Sequence, residues 1–185
     1  MAVKGRFGVA AEAPGFPFKR TLIMGNGGSG KTWLAVRLAE AFSLKAIHFD
    51  DLHWEPNRYG VERDRALRNA DVHAASLEDA WVMEGVYGQL INLVIRRVTT
   101  LIWLDLSQEA CIKNVKDRGT QGGESEESFL NLITWVAEYR SRKNNWNSYD
   151  AHQKFFDFHE GSKFRLKNRA DINDLLADVA TPKGQ

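Results

Sequence analysis

The feature that most constrains this chain is a glycine-rich stretch followed directly by lysine and threonine, GNGGSGKT at residues 25–32. It follows the apolar run RTLIMG (20–25) and precedes a run in which Leu34, Leu38 and Phe42 recur at helical spacing. The stretch satisfies G-x-x-x-x-G-K-[ST], in which glycines let the backbone fold with its N–H groups pointing inward at an anion. A loop of this kind between a strand and a helix predicts a phosphate-binding loop, or P-loop.

The pattern assigns an expected role to each part of the loop. The positive end of the helix that begins near Lys31 would favour a phosphate. Lys31 would reach the β- and γ-phosphates of a nucleoside triphosphate, and the Thr32 hydroxyl would ligate Mg²⁺. The predicted cofactors are therefore ATP and Mg²⁺. The residues predicted to bind the nucleotide are Gly25, Asn26, Gly27, Gly28, Ser29, Gly30, Lys31 and Thr32.

Short apolar runs alternate with helical periodicity along the rest of the chain. Buried strands are predicted at 20–25, 46–50, 80–84, 99–106 and 163–167. The last amphipathic stripe consists of Ile172, Leu175, Leu176 and Val179. Strands that alternate with helices predict a parallel sheet covered on both faces. The expected fold class is therefore an α/β sandwich.

Composition and charge count against several classes of function. A chain of 185 residues is long enough for one domain with a substantial core. A formal net charge of +1 and the lack of a basic stripe count against direct nucleic-acid binding. No apolar run is long enough to indicate a signal peptide or a membrane span. The single cysteine, Cys111, is expected to be a small buried residue, and it fits a reducing cytoplasm.

Carboxylates lie at the carboxyl ends of three of the predicted strands. Asp50 and Asp51 lie at the end of the second strand and Glu84 at the end of the third, at the sheet edge where ligands bind in parallel sheets. Asp50 is favoured over Asp51 as a base for a hydroxyl acceptor, because Asp51 is the better candidate for a helix N-cap. Asp105 lies at the end of the fourth strand and competes with Glu84 for the metal-supporting role, although it also fits a helix start before Ser107.

Three segments together carry a resemblance to a known family. GNGGSGKTWLAVRLAE, IHFDDLHWEP and WVMEGVYG resemble the P-loop kinase-like topology modulation proteins, the FlaR group, which are similar to adenylate, shikimate and gluconate kinases. The likeness covers nearly all of residues 20–178. It favours Glu84 over Asp105 as the carboxylate beside the P-loop. The chain departs from the family at Glu84, where aspartate is usual, and at Val86, where a polar residue is common.

The resemblance also implies how the domain is organised. It implies a five-stranded parallel sheet within a single P-loop kinase-like domain at residues 19–180. The first residues, 1–18, are predicted from their own sequence to be a flexible extension. An acceptor-binding insertion is expected at 51–79, and a lid region at 117–145. The insertion carries Arg58, Arg63, Arg65 and Arg68, which suit an anionic acceptor. Trp54, Tyr59 and Tyr87 are candidates to line the acceptor pocket.

Phosphoryl transfer also calls for an arginine near the migrating group. Arg118, Arg140 and Arg142 flank the lid region, and Arg140 in EYRSR best matches the family. Arg169 is expected near the adenine, by resemblance only. The predicted catalytic residues are Lys31, Asp50, Glu84 and Arg140, and the predicted metal ligands are Thr32 and Glu84.

Two functions from different classes remain open. The first is a small kinase that transfers the γ-phosphoryl group of ATP to a nucleotide or to a small hydroxyl compound. The second is a nucleotide-binding regulator whose ATP site controls contact with a macromolecular partner. The five histidines, His48, His53, His73, His152 and His159, show no metal-ligand spacing and are interpreted as structural or surface residues.

Overall fold

A computed structural model describes residues 18–56, 58–120 and 125–180, without the side chain of Tyr59. The predicted extension lies outside this part of the chain except for Phe18, as do residues 121–124 of the predicted lid region. The Phe18 ring stacks on Phe42 at 5.2 Å and on Phe164 at 5.9 Å between ring centroids. Phe18 therefore packs against the folded domain.

Along the chain, strands and helices alternate as the sequence predicts. The elements are β1 (Arg20–Gly25), α1 (Lys31–Phe42), β2 (Ala46–His48), α2 (Phe49–His53), β3 (Trp54–Glu55), β4 (Arg58–Glu62), α3 (Arg65–Leu77), β5 (Trp81–Gly85), α4 (Gly88–Val94), a 3₁₀ turn (Ile95–Arg97), β6 (Thr100–Leu104), α5 (Gln108–Arg118), α6 (Glu126–Ala137), α7 (Tyr149–Phe158), β7 (Ser162–Leu166) and α8 (Arg169–Ala180). Five of the strands form one parallel sheet in the order β2-β5-β1-β6-β7. The predicted fold class is confirmed.

The predicted strand bounds differ from the observed ones mainly at β2. This strand was expected to reach Asp50, but it ends at His48 because Phe49 begins the short helix α2. Both aspartates lie in the first turn of that helix, and its N-cap is His48, so the N-cap expected of Asp51 is wrong. The insertion continues as the hairpin β3–β4 and then as α3.

The hydrophobic core lies on both faces of the sheet. On one face, Leu34 of α1 and Ile172 of α8 pack with Cys111 of α5, which is buried as predicted. On the other face, α3, α4 and α7 cover a cluster that includes Val72 and the fully buried Trp103. Burial on both faces explains why the strands are continuous apolar runs.

The aromatic segment around α7 is divided between core and surface. Phe156 lies 5.7 Å from the Trp103 ring, and Phe155 lies 6.2 Å from Trp146, whereas Phe158 is 82% exposed. These side chains lie on different faces of one helix, so only some of them cover the sheet. Within the described residues, no helix is both long and apolar enough to cross a membrane.

Strand register brings the candidate site residues to one edge of the sheet. His48 pairs with Glu84 between β2 and β5, and Gly25 pairs with Leu104 between β1 and β6. Because all five strands are parallel, their carboxyl ends meet at this edge. The loop that follows β1 therefore lies between the residues that end β5 and β6.

Candidate active site

The glycine-rich loop leaves the first turn of α1 open to an anion. Gly30 is the N-cap in the left-handed conformation, with φ 92°, and no side chain caps the first turn or places an acidic group there. Gly28 also has a positive φ of 72°, and a Cβ at that position would press on the Cys111 carbonyl oxygen. A side chain at either position would strain the backbone, so the conformation of the loop depends on glycine. The N–H groups of α1 thus point at a phosphate-sized site.

Side chains from outside the loop hold it in place. Asn26 donates to the Val136 carbonyl at 2.9 Å, and its own Oδ1 accepts from the Gly27 N–H at 2.8 Å. Asn114 of α5 donates to the Gly28 carbonyl at 2.8 Å. The loop is therefore tied to α5, whose last two residues begin the predicted lid region, and to the end of α6, which lies within that region.

Glu84 is the second-last residue of β5 and lies directly beside the loop. Its Oε1 accepts from the Thr32 hydroxyl at 2.9 Å, and Nδ1 of His48 lies 2.8 Å from the same oxygen. Glu84 is only 3% exposed, so the pair with His48 is largely shielded from water. The structure thus brings together the two residues predicted as Mg²⁺ ligands and adds a histidine to them.

Opposing effects act on the Glu84 carboxyl. Burial raises its pKa, but the hydrogen bonds from His48 and Thr32 and the charge of Lys31 outweigh burial, so the pKa is lowered. The hydrogen bond to Glu84 in turn raises the pKa of His48, and it outweighs the lowering by burial. Glu84 is therefore a carboxylate at neutral pH, as a metal ligand must be.

Asp105, the competing carboxylate, has other partners. Oδ1 of Asp105 accepts from Arg140 at 2.6 Å, and Oδ2 accepts from Arg165 at 2.9 and 2.7 Å. With 7% exposure, this carboxylate is nearly enclosed by the two guanidinium groups. Ser107, two residues later, caps α5 by accepting from the Ala110 N–H. The structure thus places Asp105 in an ion-pair cluster, while Glu84 contacts the P-loop.

The three arginines that flank the lid region have different surroundings. Arg118 lines the cavity above the loop. Arg140 is held by Asp105, and its guanidinium lies 4.3 Å from the centre of the Tyr149 ring. Arg142 lies over Trp135 at 4.2 Å, and its three guanidinium nitrogens are buried with no hydrogen-bond partner among the described residues.

A buried hydrogen-bond chain anchors the segment that carries these arginines. Trp103 donates to the Tyr139 hydroxyl at 3.3 Å, and Tyr139 contacts Nδ1 of His152 at 2.6 Å. The other ring nitrogen of His152 lies 3.0 Å from the Val86 carbonyl. Burial lowers the pKa of His152 to about 3, so the neutral ring accepts from Tyr139 and donates to Val86. This chain links α7 to the end of β5, two residues after Glu84.

One cavity of about 680 Å³ contains most of the predicted site residues. Its nucleotide half, as we define it, is lined by Gly27, Gly28, Gly30, Lys31, Thr32, Trp33, Asn114, Arg118 and Arg169. Its acceptor half is lined by Asp50, His53, Trp54, Glu62, Val86 and Tyr87. Glu84 and Gly85 lie at the cavity wall between the two halves. The volume suits a small-molecule site.

Arg169 and Asp50 lie in opposite halves of this cavity. The Arg169 guanidinium lies beside Gly30 and 5.6 Å from the Trp33 ring centre. Asp50 accepts from the Tyr87 hydroxyl at 2.5 Å.

The amine of Lys31, the lysine of the P-loop, donates to the Asn26 carbonyl at 2.8 Å.

The four arginines of the insertion are absent from the described lining of the cavity. Arg68 is 3% exposed and donates to Nδ1 of His53 at 2.9 Å. Arg63 pairs with Asp71 at 2.7 Å. An anion in the acceptor half would therefore not meet the arginines that the sequence nominated for it.

A larger groove of about 910 Å³ lies elsewhere, between the 3₁₀ turn and α7. Among the described residues, it shares no lining residue with the P-loop cavity and contains none of the predicted site residues. Size alone therefore does not identify the active site, because the phosphate-binding loop and the buried carboxylate belong to the smaller cavity.

Sequence reasoning missed two features of this site. His48 was interpreted as structural or surface, yet it contacts Glu84; its position at the carboxyl end of a strand was the available signal. The Tyr87–Asp50 hydrogen bond joins the residue that precedes α4 to the first turn of α2, and no spacing in the sequence indicates it.

Solved structures of kinases that act on small molecules share this fold. A gluconokinase from Sinorhizobium meliloti 1021 matches with a TM-score of 0.51 at 16% identity, covering 88% of this chain and 93% of that one. A shikimate kinase from Acinetobacter baumannii in complex with shikimate matches with a TM-score of 0.54 at 12% identity, covering 88% and 90%. At these identities the likeness concerns the fold alone.

The YorR protein from Bacillus subtilis, in complex with phosphorylated GDP, also matches, with a TM-score of 0.53 at 9% identity and coverage of 86% and 92%. No protein-family model matches the chain, and no curated protein matches it either. The resemblance to the topology modulation group therefore stays a prediction.

Proposed function

We propose that this chain is an ATP-dependent kinase that phosphorylates a hydroxyl group of a small molecule. The proposal rests on how the candidate metal ligands and the candidate base are arranged within one cavity. Thr32 and Glu84 lie in hydrogen-bond contact at the P-loop, and Asp50 lines the acceptor half of the same cavity. A nucleotide acceptor is less well supported, because the arginines of the insertion do not line the described part of this cavity.

The donor set at the P-loop fits a nucleotide-bound magnesium ion. Thr32 offers a hydroxyl oxygen and Glu84 an ionised carboxylate, and Mg²⁺ prefers one or two such oxygens together with phosphate oxygens and water. Among the described residues, no group of three or more His, Cys, Asp or Glu side chains could hold a metal by itself, which is consistent with a metal that arrives with the nucleotide. When bound, the ion would neutralise charge on the phosphates.

Protein residues would position the reactants and move one proton. Lys31 binds the β- and γ-phosphates, and the N–H groups of α1 face the same oxygens. Asp50 accepts the proton of the acceptor hydroxyl as its oxygen bonds to the γ-phosphorus and the bond to the ADP oxygen breaks. Tyr87, which donates to Asp50, orients the carboxylate for this step.

Arg118 is our choice for the arginine that contacts the migrating phosphoryl group. It lines the cavity, whereas Arg140, the residue preferred from the sequence, is engaged by Asp105. Arg169, beside Gly30 and Trp33, would lie near the adenine end of the nucleotide. The named acceptors of two structural neighbours, gluconate and shikimate, are small hydroxyl compounds, which supports the same reaction class.

The experiment is ADP release from ATP and Mg²⁺ with and without a panel of hydroxyl compounds and nucleotides. Lys31→Ala should abolish release, because it removes the charge at the β- and γ-phosphates. Asp50→Asn should lower acceptor-stimulated release by about 100-fold or more and leave ATP binding nearly unchanged. Asp51→Asn, one residue later in the same helix turn, is the matched control.

Full activity of both Lys31→Ala and Asp50→Asn would contradict the proposal. Tight ATP binding with no acceptor-stimulated release would instead favour a nucleotide-binding regulator.

A further inference from the structure

The acceptor half of the cavity has aromatic walls. The rings of His53 and Tyr87 are stacked with centroids 4.0 Å apart, and Trp54 lies at 79° to His53 and 78° to Tyr87. Trp54 and Tyr87 therefore present nearly perpendicular ring planes at one end of the cavity. Walls of this kind attract cations through the negative faces of the rings, and they are typical of sites for ammonium groups.

The charges on the same walls are negative. Asp50 and Glu62 line the acceptor half, and Glu62 is the cross-strand partner of Trp54 in the β3–β4 hairpin. The cations that line the described cavity, Lys31, Arg118 and Arg169, all belong to the nucleotide half.

Two further carboxylates line the cavity: Asp117, which pairs with Lys113, and Glu84 at the wall between the halves. Among the described lining residues, the acceptor half contributes carboxylates and no lysine or arginine, whereas every lysine and arginine lies in the nucleotide half.

A buried positive charge lies behind this wall. Arg68 is buried beneath His53, and its Nη1 lies 3.9 Å from Oε2 of Glu62, so the two side chains form an ion pair without a hydrogen bond. Nε2 of His53 also lies 3.7 Å from Glu62, and burial lowers the pKa of that histidine, which keeps the ring neutral. With 65% exposure, the Glu62 side chain retains oxygens that can accept from a ligand.

We propose that the phosphoryl acceptor carries a positively charged amine in addition to its reacting hydroxyl, and that Glu62, Trp54 and Tyr87 bind this amine. The inference rests on the proposed kinase function and names its substrate class. The ammonium lies against the two aromatic rings and donates charge-assisted hydrogen bonds to Glu62, while Asp50 faces the hydroxyl. A carboxylate or phosphate on the acceptor would be repelled by Asp50 and Glu62.

The test uses acceptors of similar size that differ in charge. One series is glucosamine, glucose and glucuronate, which share a pyranose ring, and a second is ethanolamine, ethylene glycol and glycolate. Binding to the wild-type chain is measured by calorimetry without nucleotide, and ADP release is measured with ATP and Mg²⁺. The amine of at least one series should bind and stimulate release about tenfold better than its uncharged counterpart, and the acids should be the weakest.

Two substitutions of Glu62 test where the amine of the acceptor binds. Glu62→Gln should reduce the preference for the amine about tenfold without changing ATP affinity, and Glu62→Lys should turn the preference toward the acid. Glu55→Gln is the matched control, because Glu55 lies in the same hairpin but does not line the described cavity. Both substitutions remove the ion pair of Glu62 with the buried Arg68, so thermal melting confirms that each variant is folded before its binding is compared.

The outcomes separate this inference from the proposed function. Stronger binding of the uncharged or acidic members, no binding of any amine, or an unchanged preference in Glu62→Gln would overturn the inference. Binding measured by calorimetry tests the inference even if no phosphoryl group is transferred. Failure of the wild-type chain to bind ATP would overturn the proposed function, whichever acceptor binds.

Discussion

Each side of the P-loop carries a carboxylate near the end of a strand, and the two carboxylates have different surroundings. On the β5 side, Glu84 contacts the Thr32 hydroxyl and His48. On the β6 side, Asp105 is enclosed by Arg140 and Arg165. Both side chains are nearly buried at the carboxyl ends of strands that flank β1.

This difference shows that a carboxylate at the end of a strand is not by that position alone a metal ligand. Asp105 already receives hydrogen bonds on both oxygens from full positive charges, and a cation would have to displace an arginine to bind there. Glu84 is paired with a hydroxyl that can turn and with a histidine that can become neutral. The β5 side can therefore accept a metal, and the β6 side stabilises the fold.

The largest expected effect comes from exchanging each carboxylate for its amide. Glu84→Gln should lower Mg²⁺-dependent ADP release by about 100-fold and raise the Mg²⁺ concentration needed for half-maximal rate, because the proposed metal site would lose its carboxylate. Asp105→Asn should leave the Mg²⁺ requirement unchanged but destabilise the fold by roughly 2–3 kcal/mol, because two arginines lose their anion.

Mg²⁺ titrations of the rate and denaturant unfolding of both variants provide the measurement. The reverse pattern, with Mg²⁺ dependence lost in Asp105→Asn, would show that the metal lies on the β6 side.

A smaller effect is expected from the arginines. Arg118→Ala should slow phosphoryl transfer about tenfold or more at saturating ATP, because its guanidinium lines the cavity and is available to the phosphates. Arg140→Ala should change the transfer rate little and lower the unfolding free energy by about 1 kcal/mol, since its partner Asp105 keeps Arg165. Single-turnover rates and melting curves of the two variants distinguish them. A rate loss confined to Arg140→Ala would restore that residue to the catalytic role.

The smallest expected effect is a pH dependence of stability on the β5 side. The raised pKa of His48 means that its pair with Glu84 contributes fully below pH 6.5 and that this contribution is lost as pH rises through the raised value. The lowered pKa of Glu84 keeps its charge down to below pH 4.5. His48→Gln should therefore destabilise the chain by about 1 kcal/mol at pH 6 and by less at pH 9.

Unfolding of the wild-type chain and of His48→Gln at both pH values is the measurement, with His73→Gln as the control on exposed α3. An equal difference at pH 6 and pH 9 would mean that the pair is not charged in the folded state.

Local sequence determined the fold class and the phosphate-binding loop. The loop needs glycine at Gly28 and Gly30 because of their positive φ, and its lysine and threonine follow at once, so one short segment carries the whole signal. Five apolar runs between helical patterns predicted the parallel sheet, because burial on both faces requires them. The end of β2 was misjudged because Phe49 is apolar whether it extends a strand or begins a helix.

Only the tertiary structure decided which charged groups meet. The sequence left Glu84 and Asp105 as alternatives, and their partners, Thr32 and Arg165, come from distant parts of the chain. It also nominated the arginines of the insertion for the acceptor, whereas Arg68 is buried under His53 and Glu62 faces the cavity. The sequence does not show which way a charged side chain points or which groups it contacts. Its effect depends on which neighbours the folded chain brings within a few ångströms, because electrostatic energy in a partly buried site falls with distance and with exposure to water.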